Sequence, residues 1–127
     1  MFTGVLHKGV WIAAIALIGA VSHGIAQDLA PLHQVQAVVD GVRSPQHAYE
    51  ADLVLRALPG VVLTRTDHNT RNLLMHVPAD LPISAAVLNE ALATLGMSVR
   101  CYQRGPIGQG PFRHLDPRDC GLTPTVR

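Results

Sequence analysis

Past residue 26 this 127-residue chain contains no lysine at all. Its positive charge there rests on nine arginines, which nine carboxylates balance, so the net charge of that portion is near zero. Near-neutrality argues against a nucleic-acid partner, because binding a phosphate backbone requires a basic stripe that releases counterions. It disfavours electrostatic attachment to anionic lipid for the same reason. Cysteine is almost absent as well, with Cys101 and Cys120 the only two, and none follows the N-terminal apolar run to carry a lipid anchor. The chain has no nucleophile elbow, no phosphate-cradling glycine loop and no paired-carboxylate signature. Asp116 and Asp119 read as turn caps or solvating charges in a polar tail. The histidines His33, His47, His68, His76 and His114 form no zincin pair or other close-spaced ligand motif. The residues therefore point away from an enzyme.

What is present begins with a leader. Lys8 supplies positive charge, and Val10 to Val21 is an uninterrupted apolar run of about a dozen residues, short for a membrane span. Gly24 and Ala26 are small residues of the kind a signal peptidase accepts, so residues 1–26 read as a secretory signal cleaved before Gln27. A retained anchor is the alternative. Cleavage leaves no stable membrane span and places the protein in a periplasm or outside the cell. Residues 27–104 are enough chain for one core. Residues 105–127 are dense in glycine and proline without periodicity and read as a tail. An even pair of cysteines in an oxidising compartment reads first as a disulfide, Cys101 to Cys120. Closing a loop of about twenty residues would contribute about 3 kcal/mol on the loop-entropy model. A tail tied back this way is expected to lie against the sheet edge, with Phe112 and Leu115 covering apolar surface. A site of His114 with the two cysteines requires that the bond be absent.

Punctuation and periodicity order the elements. Gln34 to Asp40 alternates, with Val35, Ala37 and Val39 on one side and Gln34, Gln36 and Asp40 on the other, as a half-covered strand does. Ser44-Pro45 opens a helix, serine by accepting from first-turn amides and proline by surrendering an amide the helix never uses. Ala48, Ala51, Leu55 and Leu58 form its buried stripe, and Pro59-Gly60 stops it. Val61 to Asp67 reads as a second strand, Asp67-His68-Asn69 as a turn of unusual backbone angles, and Leu73 to Val77 as a third strand. Met75 then faces the core and His76 the other way. Ile83-Ser84 opens a second helix with Val87, Leu88, Ala91, Leu92 and Leu95 inward and Gly96 as its left-handed cap. Ser98 to Gln103 is the fourth strand. The order predicts an α+β, ferredoxin-like βαββαβ sandwich, a four-stranded antiparallel sheet with two helices on one face.

Gly41-Val42-Arg43-Ser44-Pro45-Gln46-His47 resembles the Gly-Met-x-Cys-x-x-Cys loop of the heavy-metal-associated domain, the fold of small copper chaperones and mercury-binding periplasmic proteins. Leu58-Pro59-Gly60-Val61 is similar to that family's first-helix exit, and Leu88, Leu92, Leu95 and Gly96 to its second helix. Met97 stands where an aromatic or a lysine is usual. The resemblance spans roughly Gln34 to Arg104 and implies the same fold, with the first and third strands at the sheet centre, and metal binding or handling in the broad sense. Ser44 and His47 fall on the two ligand positions. Two soft thiolates suit copper(I), whereas serine is a poor ligand and histidine a borderline one. The functional reading is a weak copper or zinc site using His47 with a ligand from elsewhere, and His33 and His76 on neighbouring strands are a candidate pair. The bland reading has Ser44 as a helix cap, His47 in an exposed first turn and no metal at all. In that case the domain is an interaction module whose partner adds to a sheet edge or covers the open sheet face. A third reading assigns Ala79 to Val99 to a short signalling or secretin-type module.

Overall fold

The computed structural model describes residues 31–108 and 110–124; the leader lies outside the described residues. Strand β1 (Leu32–Asp40) forms because its odd positions are small or β-branched apolar residues, and Val35, Ala37 and Val39 are completely buried under the helices. Helix α1 (Pro45–Arg56) starts where Ser44 Oγ accepts the His47 amide at 3.0 Å, with proline in the first turn. It turns Ala48, Ala51 and Leu55 inward. Strands β2 (Leu63–Thr66) and β3 (Asn72–Pro78) form a hairpin that presents Leu73, Met75 and Val77 to the same core. Helix α2 (Ala85–Leu92) is capped by Ser84 Oγ on the Val87 amide, and a 3-10 turn (Ala93–Leu95) follows. Strand β4 (Ser98–Pro106) closes the sheet.

The sheet order is β2-β3-β1-β4, antiparallel throughout, with β1 and β3 central and both helices on one face. This is the ferredoxin-like βαββαβ arrangement. One core fills the space between layers, with Leu55, Leu73, Met75, Leu88 and Leu92 fully buried. Helix α2 ends as a Schellman motif: Gly96 is left-handed at φ +69°, its amide bonds the Ala93 carbonyl, and the Met97 amide bonds the Leu92 carbonyl.

Four local expectations are corrected. The left-handed residue in the β2–β3 connection is Arg71, at φ +57°, while Asp67 Oδ1 holds the turn by accepting the Asn69 and Thr70 amides. Val87, assigned to the core face of α2, is half-buried and outside the core cluster. Strand β4 runs beyond Gln103 to Pro106 and is interrupted by a β-bulge, in which Cys101 and Tyr102 together oppose Ala37. The bulge sets Cys101 at φ +57° and turns Tyr102 inward, where its hydroxyl donates to the Ile83 carbonyl.

The fourth correction concerns the tail. It lies across the open face of the sheet over β1 and β3. Its 114–123 segment folds on itself, with Leu115 bridging Leu122 and the Thr123 amide bonding the His114 carbonyl. Asn72 clasps it from below: Nδ2 donates to the Leu115 carbonyl at 2.9 Å and Oδ1 accepts the Leu115 amide at 2.7 Å. Gln36 Nε2 donates to the Arg113 carbonyl at 2.6 Å. Cys101 and Cys120 stand at disulfide distance, with Cα atoms 5.3 Å apart. Leu115 is buried and Phe112 stays exposed. This cover explains why β1 is buried on five consecutive residues, Val35 to Val39, where simple alternation leaves Gln36 and Val38 open to water.

Candidate functional site

The loop from Gly41 to His47 joins β1 to α1 and lies against the α2–β4 connection. Gly41 adopts φ +93°, and a Cβ built there would stand 2.5 Å from the Gly96 carbonyl oxygen. Only glycine lets the two backbones approach this closely. The approach brings the first turn of α1 within reach of the end of the second helical segment.

His47 occupies that junction. The residue is buried, 7% exposed, and both ring nitrogens are engaged. Nδ1 accepts the Arg43 amide at 3.2 Å, so Nδ1 is the unprotonated nitrogen. Nε2 then carries the hydrogen and donates to the Leu95 carbonyl at 2.9 Å. The ring is a two-ended clasp between the loop and the second helix. This corrects the exposed first-turn placement expected for His47. Ser44 is the helix cap described above, its oxygen already accepting a backbone amide. The Ser44–His47 pair therefore does not fit copper(I): no thiolate is present, and the imidazole has no free lone pair without breaking the Arg43 bond.

The other histidines do not converge. His33 pairs with Val77 in the β1–β3 register and shares the helix-facing side, whereas His76 pairs with Gln34 on the opposite side. The neighbouring strands thus carry the two imidazoles on different faces, which removes the candidate pair. His33 Nδ1 accepts Arg104 Nε at 3.1 Å, and the Arg104 guanidinium also donates to the Pro78, Ala79 and Ile83 carbonyls. His114 lies beside Phe112, edge to face at 5.0 Å. Among the described residues no group of three or more His, Cys, Asp or Glu is placed to hold a metal ion.

Electrostatics near the loop are modest. Asp40 pairs with Arg71 at 3.3 Å and with Arg100 at 2.6 Å, all more than a third exposed, so the pairs add little stability. Backbone amides lower the Asp67 carboxyl below its ordinary range, that of Thr70 most, while partial burial opposes them. Asp116, in the tail, is pushed down to about 2, mainly by the Arg118 guanidinium and then by the Arg118 amide.

Sequence reasoning missed Leu95 as a partner of His47, and also missed Asn72 and Asn89. Asn89 reaches from α2 to accept the Val99 amide on the outer edge of β4 at 2.6 Å. Its signal, a polar residue one position from the core face of an apolar helix, is too common to single it out.

The fold and this corner define a ferredoxin-like βαββαβ domain whose β1–α1 loop is tied to the end of the second helical segment by a histidine clasp. No family model matches the chain, and no match was found among curated proteins. Among solved structures the chain is similar to the N-terminal domain of a potential copper-translocating P-type ATPase from Bacillus subtilis in the Cu(I)-loaded state. That match has 16% identity and a TM-score of 0.49 and covers 54% of this chain and 85% of that one. It is also similar to the CopZ metallochaperone, at 15% identity and a TM-score of 0.47, covering 53% and 98% of the two chains. A third similar structure is the N-terminal domain of PacS from Synechocystis PCC6803, at 15% identity and a TM-score of 0.44, covering 53% and 92%. At these scores the fold assignment rests on the strand order and helix placement given above.

Proposed function

We propose that this chain is an exported, non-catalytic member of the metal-handling fold class that acts by protein contact instead of carrying an ion on its loop. The observation that carries the reading is the His47 ring, whose two nitrogens join Arg43 and Leu95 across the corner where a chaperone loop would present ligands. The metal-handling class enters through the resemblance of the loop and the Leu58-Pro59-Gly60-Val61 exit. Export to a periplasm or beyond is supported by the apolar leader and by two cysteines that meet at disulfide distance.

Calorimetric titration of residues 27–127 with zinc and with copper(II), beside the His47→Ala variant, tests the proposal. The expected result is no site of micromolar or tighter affinity in either protein. Micromolar binding that disappears in the variant would return the loop to metal carriage through a substituted ligand, with the Leu95 bond exchanged for the ion.

A further inference from the structure

We propose that the free edge of β2 is a docking site for an extended acidic segment of a partner protein, which adds as a fifth strand. The inference rests on the protein-contact reading and names its surface.

The two edges of the sheet differ. On β4 the Val99 amide is taken by Asn89 Oδ1, and the bulge at Cys101 and Tyr102 breaks the edge where the tail is tied on. Both are devices that stop a strand from adding. On β2 the ladder register pairs Leu63 with His76 and Arg65 with Leu74, and the Asp67 amide bonds the Asn72 carbonyl. Hydrogen-bonded pairs alternate along an antiparallel ladder, so Leu63, Arg65 and Asp67 spend their main-chain groups on β3. The amides and carbonyls of Thr64 and Thr66 therefore point outward, and nothing else among the described residues takes them. Their side chains turn toward α1, both hydroxyls donating to Asp52 Oδ1.

The flanks of this edge select the occupant. A cleft of about 510 Å³ runs beside β2, lined by Arg56, Arg65 and His76, by Val62 and Leu63, and by Asp52, whose carboxylate accepts from the Thr64 and Thr66 hydroxyls. Val62 and Leu63 are exposed, at 60% and 40%, and offer apolar contact. Arg56 and Arg65 are exposed on either side of the edge and form no ion pair among the described residues. An added strand directs alternate side chains to the two faces of the sheet. A segment alternating carboxylates with apolar residues would set its carboxylates beside Arg65 on the face that Arg65 shares with Leu63, and its apolar residues on the α1 side of the sheet. A second copy of this chain fits less well, because it would bring two edges carrying the same arginines together. Main-chain pairing supplies the affinity and the arginines the choice of sequence.

The test uses the full-length chain and two synthetic peptides, one alternating glutamate with valine and one alternating lysine with valine, followed by amide hydrogen exchange. The expected result is binding of the glutamate peptide with a dissociation constant of about 100 μM or tighter, as for a transient contact. Exchange at the Thr64 and Thr66 amides should slow at least about tenfold in the complex. Arg65→Glu, a surface change that leaves the core intact, should abolish that binding and favour the lysine peptide. Failure to bind at millimolar peptide, equal binding of both peptides, or binding without protection at Thr64 and Thr66 would each overturn the proposal. So would protection of those amides that rises with protein concentration alone, which assigns the edge to a second copy. None of these outcomes bears on the metal titration, so the edge can fail while the closed loop stands.

Discussion

Replacing His47 with alanine separates a structural clasp from a ligand. The substitution removes the acceptor for the Arg43 amide and the donor to the Leu95 carbonyl, while the Ser44 cap on the residue 47 amide is kept. Each lost bond is worth about 0.5–1.5 kcal/mol net, and a main-chain group left unpaired in a restricted corner costs about 1–3 kcal/mol. Water can re-enter part of the corner beside exposed Gly41 and Arg43, which trims the upper figures. A loss of about 2–4 kcal/mol is expected for the variant after that correction. In a domain of this size the loss lowers the melting temperature by on the order of 10–20 °C. The assay is urea denaturation followed by far-ultraviolet circular dichroism, in the presence of a chelator so that adventitious metal plays no part. Ser44→Ala, which touches only the helix start, should lose about 1 kcal/mol and provides the scale. A change in His47→Ala below about 0.5 kcal/mol, within the range of ordinary surface substitutions, would refute the clasp.

The tail and the loop glycine give further expectations. Asn72→Ala should cost about 2–3 kcal/mol, because it strands both main-chain groups of Leu115 beneath the tail, and hydrogen exchange should rise at Leu115 before it rises in α1; unchanged exchange there would contradict the clasp on the tail. Gly41→Ala should destabilise by at least about 2 kcal/mol through its positive φ and the approach to the Gly96 carbonyl, and an unchanged denaturation midpoint would show that the two loops move apart freely. Asp67 and Asp116 have folded-state values below their unfolded ones, so they stabilise above the ordinary carboxylate value and lose that contribution as pH falls through the folded values. Denaturation midpoints should accordingly decline from about pH 4 toward about pH 2, less steeply in Asp67→Asn with Asp116→Asn; an equally steep decline in the double variant would reject the assignment.

The parts of this molecule legible in the sequence are those decided by near neighbours. Ser44-Pro45 starts α1 because cap and amide are three residues apart, and Gly96 ends α2 for equally local reasons. The strand order followed from the element order and the resemblance, and β1 and β3 are central as expected. Features settled across long separations were hidden. His47 reads as an exposed first-turn residue until Leu95, forty-eight positions on, arrives beside it. Val38 reads as a solvent position until the tail covers it, and nothing in a glycine- and proline-rich segment specifies which surface it will cover. The His33 and His76 pairing failed on parity: the strands are neighbours, but an antiparallel register that sets His33 opposite Val77 sends the rings to opposite faces. The bulge at Cys101 was equally invisible, since the residue is not glycine and yet sits at positive φ.

The central claim is that the His47 imidazole is a neutral clasp with no lone pair to offer. A long-range nitrogen–proton correlation spectrum of the labelled protein reads it directly, recorded alone and with equimolar zinc. The expected spectrum has hydrogen on Nε2, an unprotonated Nδ1, and no movement of either resonance when zinc is added. A ring protonated on Nδ1, or nitrogen resonances displaced by zinc at this histidine, would contradict it.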